Sequence, residues 1–200
     1  MAGKKKTVLT KDELDLLVNT DEFIVLDLET TGLSYKKGAR ITDICAYKLN
    51  GTDYVSKFST LVNPHVEISK EIEELTGIND SMVKWAPDIR NVLTPLKDFL
   101  GDSVIVGHNV AFDWDRFLKP IFYEKKFVEM QNKTLCTLKL SKILVDTDSH
   151  KLADVYKLLT NKEPGVQHRA EPDVIMTCEV LLILKQFAVK NYDELLKYCE

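Results

Sequence analysis

The sequence predicts an α/β domain with a mixed sheet and helices packed on both of its faces. Strand-like stretches come first and strands alternating with helices follow, which is the order that builds such a sheet. Two short apolar runs, Phe23-Ile24-Val25-Leu26 and Val104-Ile105-Val106, suit strands buried on both faces. Each run ends in acidic or amide residues, and α/β folds place their sites at the carboxyl ends of strands.

Taken in order, Thr10 and Glu13 form a capping-box pair that opens a short helix ending at Val18. The run at 23–26 is the first strand. Stretches 41–49 and 54–62 are two more, joined at Asn50-Gly51, a strong hairpin dipeptide, so the first three strands should form an antiparallel meander. Short helices follow at 69–75 and 81–85, parted by Gly77 and Asn79. A longer amphipathic helix at 88–100 stops at Gly101. After the strand at 104–106, helical patterns occupy 111–123, 134–144, 150–159, 170–187 and 191–198.

The chain has 200 residues, 44% hydrophobic and 29% charged, enough apolar material for one full core. It holds no internal repeat, low-complexity tract or linker. Residues 1–20 read as a basic segment plus a short helix, and residues 21–200 as the main domain. The longest apolar run, Val180 to Leu184, is far too short to span a bilayer. No apolar stretch follows Lys4-Lys5-Lys6, so no secretory signal is expected. Cys45, Cys136, Cys178 and Cys199 form no CxxC pair, which excludes the usual zinc ribbons and disulfide scaffolds and suits free thiols. A soluble, cytoplasmic protein is the expectation.

The net charge of −4 argues weakly against a nucleic-acid partner. Its distribution is uneven. Between Arg116 and Lys142, seven basic residues (Arg116, Lys119, Lys125, Lys126, Lys133, Lys139, Lys142) face two acidic ones, Glu124 and Glu129. That stretch suits either a phosphate-binding surface or a solvated helical face.

The most informative segment is Asp27-Leu28-Glu29-Thr30-Thr31-Gly32. On an extended backbone, Asp27 and Glu29 point to the same side. The apolar run before them draws both carboxylates toward a buried place, where like charges need a cation, and hard oxygen donors suit Mg²⁺ or Mn²⁺. A bare D-x-E is more often a solvated strand end, and the turn that follows makes this one more specific. A second cluster, His108-Asn109-Val110-Ala111-Phe112-Asp113, puts Asp113 in the first turns of a helix, with Phe112 and Phe117 facing the core. The third is His168-Arg169-Ala170-Glu171-Pro172-Asp173. Each alone has an ordinary structural explanation.

Together, D-x-E-T-T-G at 27–32, H-N-x-x-F-D at 108–113 and H-R-A-x-x-D at 168–173 resemble the three motifs of DEDDh-type 3′-to-5′ exonucleases. The likeness is strongest to the proofreading exonucleases of bacterial replicative polymerases, the DNA polymerase III epsilon subunit and the polymerase III exonuclease domain. It takes in Asn63-Pro64, Leu75-Thr76-Gly77-Ile78, Thr134-Leu135-Cys136-Thr137 and Ser149-His150-Lys151-Leu152, and spans about residues 22–187.

The resemblance implies a ribonuclease H-like fold with a mixed five-stranded sheet. It implies two Mg²⁺ or Mn²⁺ ions, about 4 Å apart in sites of this kind. Asp27, Glu29 and Asp173 would hold the first, while Asp27 and Asp113 would hold the second. His168 would be the general base, a task that suits a side chain exchanging protons near neutral pH. Thr30, Thr31, Leu33 and Phe112 would contact the terminal nucleotides, and His108 and Asn109 would touch the substrate or position Asp113. Asp43, Asp115 and Glu171 lie near the motifs but off the matching positions, and are not expected to be ligands. Pro172 departs from the usual pattern. It is tolerated in a first helical turn, yet it bears on how His168 is aimed.

The implied activity is release of nucleoside 5′-monophosphates from the 3′ ends of single-stranded DNA, in proofreading or repair. RNA trimming by the same chemistry is the alternative, and a catalytically silent end-binding domain a more remote one. A polymerase partner is compatible with the likeness. The short chain shows no clamp-binding peptide, which favours a free-standing enzyme.

Overall fold

A computed structural model describes residues 8–125, 130–165 and 168–199. The basic segment with Lys4, Lys5 and Lys6 lies outside the described residues, as do Lys126 and Glu129. Among the described residues, no helix is long and apolar enough to cross a membrane.

Five strands form one mixed sheet: β1 (Glu22–Thr30), β2 (Ile41–Asn50), β3 (Asp53–Leu61), β4 (Val104–Gly107) and β5 (Thr134–Cys136). Their spatial order is β3-β2-β1-β4-β5. The first three strands form the expected antiparallel meander, and β4 and β5 run parallel to β1. In the hairpin, Asn50 pairs with Asp53, so the two turn residues are Gly51 and Thr52 rather than Asn50 and Gly51. Gly51 has φ +60°, which a residue without Cβ adopts at no steric cost.

The helices are α1 (Lys11–Asn19), α2 (Lys70–Thr76), α3 (Asp80–Val83), α4 (Ile89–Leu100), α5 (Lys119–Glu124), α6 (Thr137–Leu144), α7 (Leu152–Thr160), α8 (Ala170–Lys190) and α9 (Tyr192–Leu196). Two expected helices change character. The segment Ala111–Leu118 is a π-helix, in which the Lys119 N–H reaches back five residues to the Trp114 carbonyl. The pattern at 134–144 begins as β5, and its helix starts only at Thr137.

The sheet divides the core into two apolar layers by strand parity. Phe23 and Val25 of β1, Cys45 and Leu49 of β2, and Val104 and Val106 of β4 pack with α1, α6, α7 and α8. Ile24, Leu26, Leu28, Ile44, Ala46 and Ile105 pack with α4, the π-helix and α5 on the other side. The odd-numbered face of β1 therefore carries Asp27 and Glu29 toward α8.

The capping box forms at Thr10 and Glu13, and Glu13 also bonds Lys139 of α6. Leu14 and Leu17 of α1 are fully buried in the α8-side layer. Leu14→Ala should thus lower the stability of the whole domain by about 2–5 kcal/mol, the usual range for a core leucine truncated to alanine. Urea unfolding followed by circular dichroism measures it, and a loss below about 0.5 kcal/mol would mean that α1 adds little to the fold.

Candidate active site

The site forms where β1 ends. Asp27 and Glu29 leave its odd face, and Asp173 comes down to them from the first turn of α8. Carboxylate oxygens of these three residues lie within 4.8 Å of one another. Pro172 sits within that first turn, where it displaces no hydrogen bond, and the Asp173 N–H reaches the Arg169 carbonyl at 3.2 Å. As expected of a first turn, Pro172 leaves Asp173 free to project from it.

Asp113 reaches the site from the opposite layer. β4 pairs with β1 only from Phe23 to Val25, so the β1 backbone beyond has an open edge. Asp113 Oδ1 fills it, accepting the Leu28 N–H at 3.1 Å. Gly107 permits this approach: a Cβ there would lie 3.1 Å from the Val110 Cα and 3.2 Å from the Leu26 carbonyl oxygen. Asp113 is not one of the three converging carboxylates, although it is close enough to Asp27 to repel its charge.

Burial dominates the electrostatics. It pushes the Asp27 carboxyl well above the ordinary range, and repulsion from Asp113, Glu29 and Asp173 pushes further. Glu29 rises to about 8 for the same reasons, burial first and Asp173 next. Burial takes Asp113 to about 8, against the pull of its backbone bonds. Asp173 is raised less, because the His168 N–H and the nearby His168 charge oppose its burial. Half-buried carboxylates that would carry like charges form a donor set suited to a hard divalent cation, and the residues present fit one.

His168 lies just before α8 with φ +58°, exposed, and its backbone N–H donates to Asp173 Oδ2 at 3.0 Å. Thr30 donates its hydroxyl to the Gly32 carbonyl, while the Thr31 hydroxyl accepts the Arg40 N–H. Both hydroxyls thereby shape the turn after β1, and Leu33 stands at its tip, 78% exposed. Phe112 is half-buried against Phe117, and exposed Asn109 starts the π-helix in a left-handed conformation. His108 faces inward. Its Nε2 donates to the His150 carbonyl and its Nδ1 lies 3.0 Å from the Thr137 hydroxyl, so both ring nitrogens tie the loop after β4 to α6 and its flank.

Of the acids set aside, Glu171 takes bonds from Tyr47 and Lys57, and Asp115 is exposed. Asp43 is different. It is buried directly across from Glu29 in the β1–β2 register and faces Arg169. A lone acid inside the apolar stretch Ile41–Ala46 was the signal for it. A groove passes the turn after β1, lined in part by Leu33, Lys36, Lys37 and Arg116.

Comparison with known proteins agrees with this geometry. An exonuclease family model matches residues 24–181. The chain is 34% identical over 183 residues to the DNA polymerase III subunit epsilon of Aquifex aeolicus, covering 91% of this chain and 87% of that protein. It is 35% identical over 187 residues to the PolC-type DNA polymerase III of Bacillus subtilis, covering 90% of this chain but only 13% of that much longer protein. In fold it matches the nuclease domain of 3′hExo, a DEDDh family member bound to rAMP, with a TM-score of 0.71 at 19% identity, covering 84% of this chain and 92% of that one.

The raised carboxyls carry a stability consequence. Each binds protons more tightly folded than unfolded, so their contribution is present at acid pH and is lost as pH rises through about 8. Metal-free protein should therefore lose stability between about pH 5 and pH 9, and Glu29→Gln should flatten that decline and be the more stable form at the alkaline end. Urea unfolding in EDTA across this range is the check. An equally steep decline in the variant would contradict the assignment.

Proposed function

The chain belongs to the exonuclease family, in its 3′-to-5′ branch of the DNA polymerase III epsilon type, and from that premise we propose that it hydrolyses the terminal phosphodiester bond of single-stranded DNA and releases nucleoside 5′-monophosphates. The observation that carries this reading is the convergence of Asp27, Glu29 and Asp173 within 4.8 Å at the end of β1. Residues 21–200 are taken as the catalytic unit, with α1 as its buttress. The relatives are named as parts of DNA polymerase III, which supports proofreading or repair in the cytoplasm, with a polymerase as the candidate partner.

In this proposal Asp27, Glu29 and Asp173 hold one Mg²⁺ or Mn²⁺, and Asp27 and Asp113 hold a second. When bound, the ions supply Lewis acidity and neutralise the charge that develops as water attacks phosphorus and the 3′ oxygen leaves. The protein's own groups do the rest. His168 accepts the proton of the attacking water at a ring nitrogen, and its backbone bond to Asp173 keeps base and ligand in register. Leu33, exposed at the tip of its turn, meets the last base by apolar contact, with Phe112 beside the site as a second apolar surface. Backbone groups around Thr30 and Thr31, and Asn109 at the start of the π-helix, border the terminal sugar. His108 acts at one remove, by fixing the loop that carries Asp113. Lys36, Lys37 and Arg116, set among Glu67 and Asp115, offer the departing strand cationic contacts although the whole chain is acidic.

The test is a DNA oligomer labelled at its 5′ end, incubated with protein and Mg²⁺. A ladder shortening from the 3′ end is expected, abolished by EDTA and reduced about 10³-fold or more by Asp27→Ala. His168→Ala should lower turnover by roughly 10²- to 10⁴-fold. An intact DNA oligomer alongside a degraded RNA of matched sequence would replace DNA with RNA as the substrate.

A further inference from the structure

Arg169, next to the proposed base and first residue before α8, points its guanidinium toward a buried carboxylate on β2. Its Nε is 3.5 Å from Asp43 Oδ2, and this Nε is itself buried with no hydrogen-bond partner. The Asp43 side chain is only 8% exposed. A buried carboxylate without a cation is costly, so Asp43 holds the Arg169 guanidinium, whose side chain is still 37% exposed, and removal of Arg169 would strand Asp43. Two residues further along α8, Glu171 accepts the Tyr47 hydroxyl of β2 at 2.6 Å and the Lys57 ammonium of β3 at 2.8 Å. Asp43 and Tyr47 thus grip residues 169 and 171 from one face of one strand. On either side of those grips lie His168 and Asp173, joined by the 3.0 Å backbone bond.

We propose that Asp43 is a positioning residue: by holding Arg169 it fixes the left-handed turn that presents His168 and Asp173 to the end of β1. Asp43 lies across the β1–β2 register from Glu29, so one strand pairing sets both a metal-holding carboxylate and the anchor for the base. Without the anchor the guanidinium is free to swing, and the turn at His168, strained at φ +58°, loses what holds it. The effect belongs to turnover and not to DNA binding, because the Asp43 side chain is buried and engaged with Arg169. It rests on the exonuclease reading for its kinetic part only.

The test uses the full chain with Asp43→Asn, Asp43→Glu, Arg169→Gln and the double variant Asp43→Asn/Arg169→Gln. Asp43→Asn should lower kcat by roughly 10- to 100-fold with KM for DNA unchanged, and Asp43→Glu should restore most of it. The double variant should be no worse than the poorer single one, since the two act as a unit. Hydrogen exchange of the His168 and Asp173 amides in metal-free protein reads the same anchor without activity: exchange quickens in Asp43→Asn and recovers in Asp43→Glu. Unchanged kcat and exchange in Asp43→Asn, or a loss that appears wholly in KM, would overturn the proposal. Should Asp43→Asn unfold, Arg169→Gln carries the same comparison. An inactive parent protein would defeat the exonuclease reading alone, and the exchange data would still decide the anchor.

Discussion

The structure turns on one unfavourable arrangement: carboxylates crowded together in a half-buried place, with Asp113 fully buried beside them. Asp27 and Glu29 follow the apolar run of β1 into the junction of the two core layers, and Asp173 and Asp113 are brought to them from opposite sides. Burial is the largest influence on the acidity of Asp27 and Asp113 and outweighs the backbone bonds of Asp113, so these groups resist ionising without a cation. The fold does not relieve this repulsion; it holds the groups against it. Its oxygen donors suit a hard cation.

The sheet does the holding through parity. Odd residues of β1 face α8, so two carboxylates two residues apart must meet whatever the first turn of α8 presents. Even residues anchor the opposite layer, and Leu28 among them lends its N–H to Asp113. The early end of the β1–β4 pairing makes that bond available, and Gly107 lets the chain turn closely enough to use it. β2 serves both layers as well, with Ile44 and Ala46 in one and the anchoring side chains of Asp43 and Tyr47 at the other.

Much of this was legible in the sequence. The period-two placement of Asp27 and Glu29, the meander and the order of the three motifs all follow from local pattern and spacing. What was not legible depended on partners distant along the chain. β5 is three residues long and runs straight into α6, so no alternation distinguishes it from a helical start. The turn at Gly51-Thr52 is fixed by the register of two strands, one residue from where the dipeptide alone suggests. His108 stands in a motif yet is committed by the Thr137 hydroxyl and the His150 carbonyl, which only tertiary structure brings to it. Asp43 looked incidental until strand pairing set it across from Glu29 and α8 brought Arg169 to it.

The central claim is that the buried carboxylates hold protons until a divalent cation displaces them. Calorimetric titration of the metal-free protein with Mn²⁺ near pH 7, in two buffers of different ionisation enthalpy, tests it most directly. The account predicts binding accompanied by net proton release, largely lost in Asp27→Asn. Binding with no proton release, or equal binding by the variant, would contradict it.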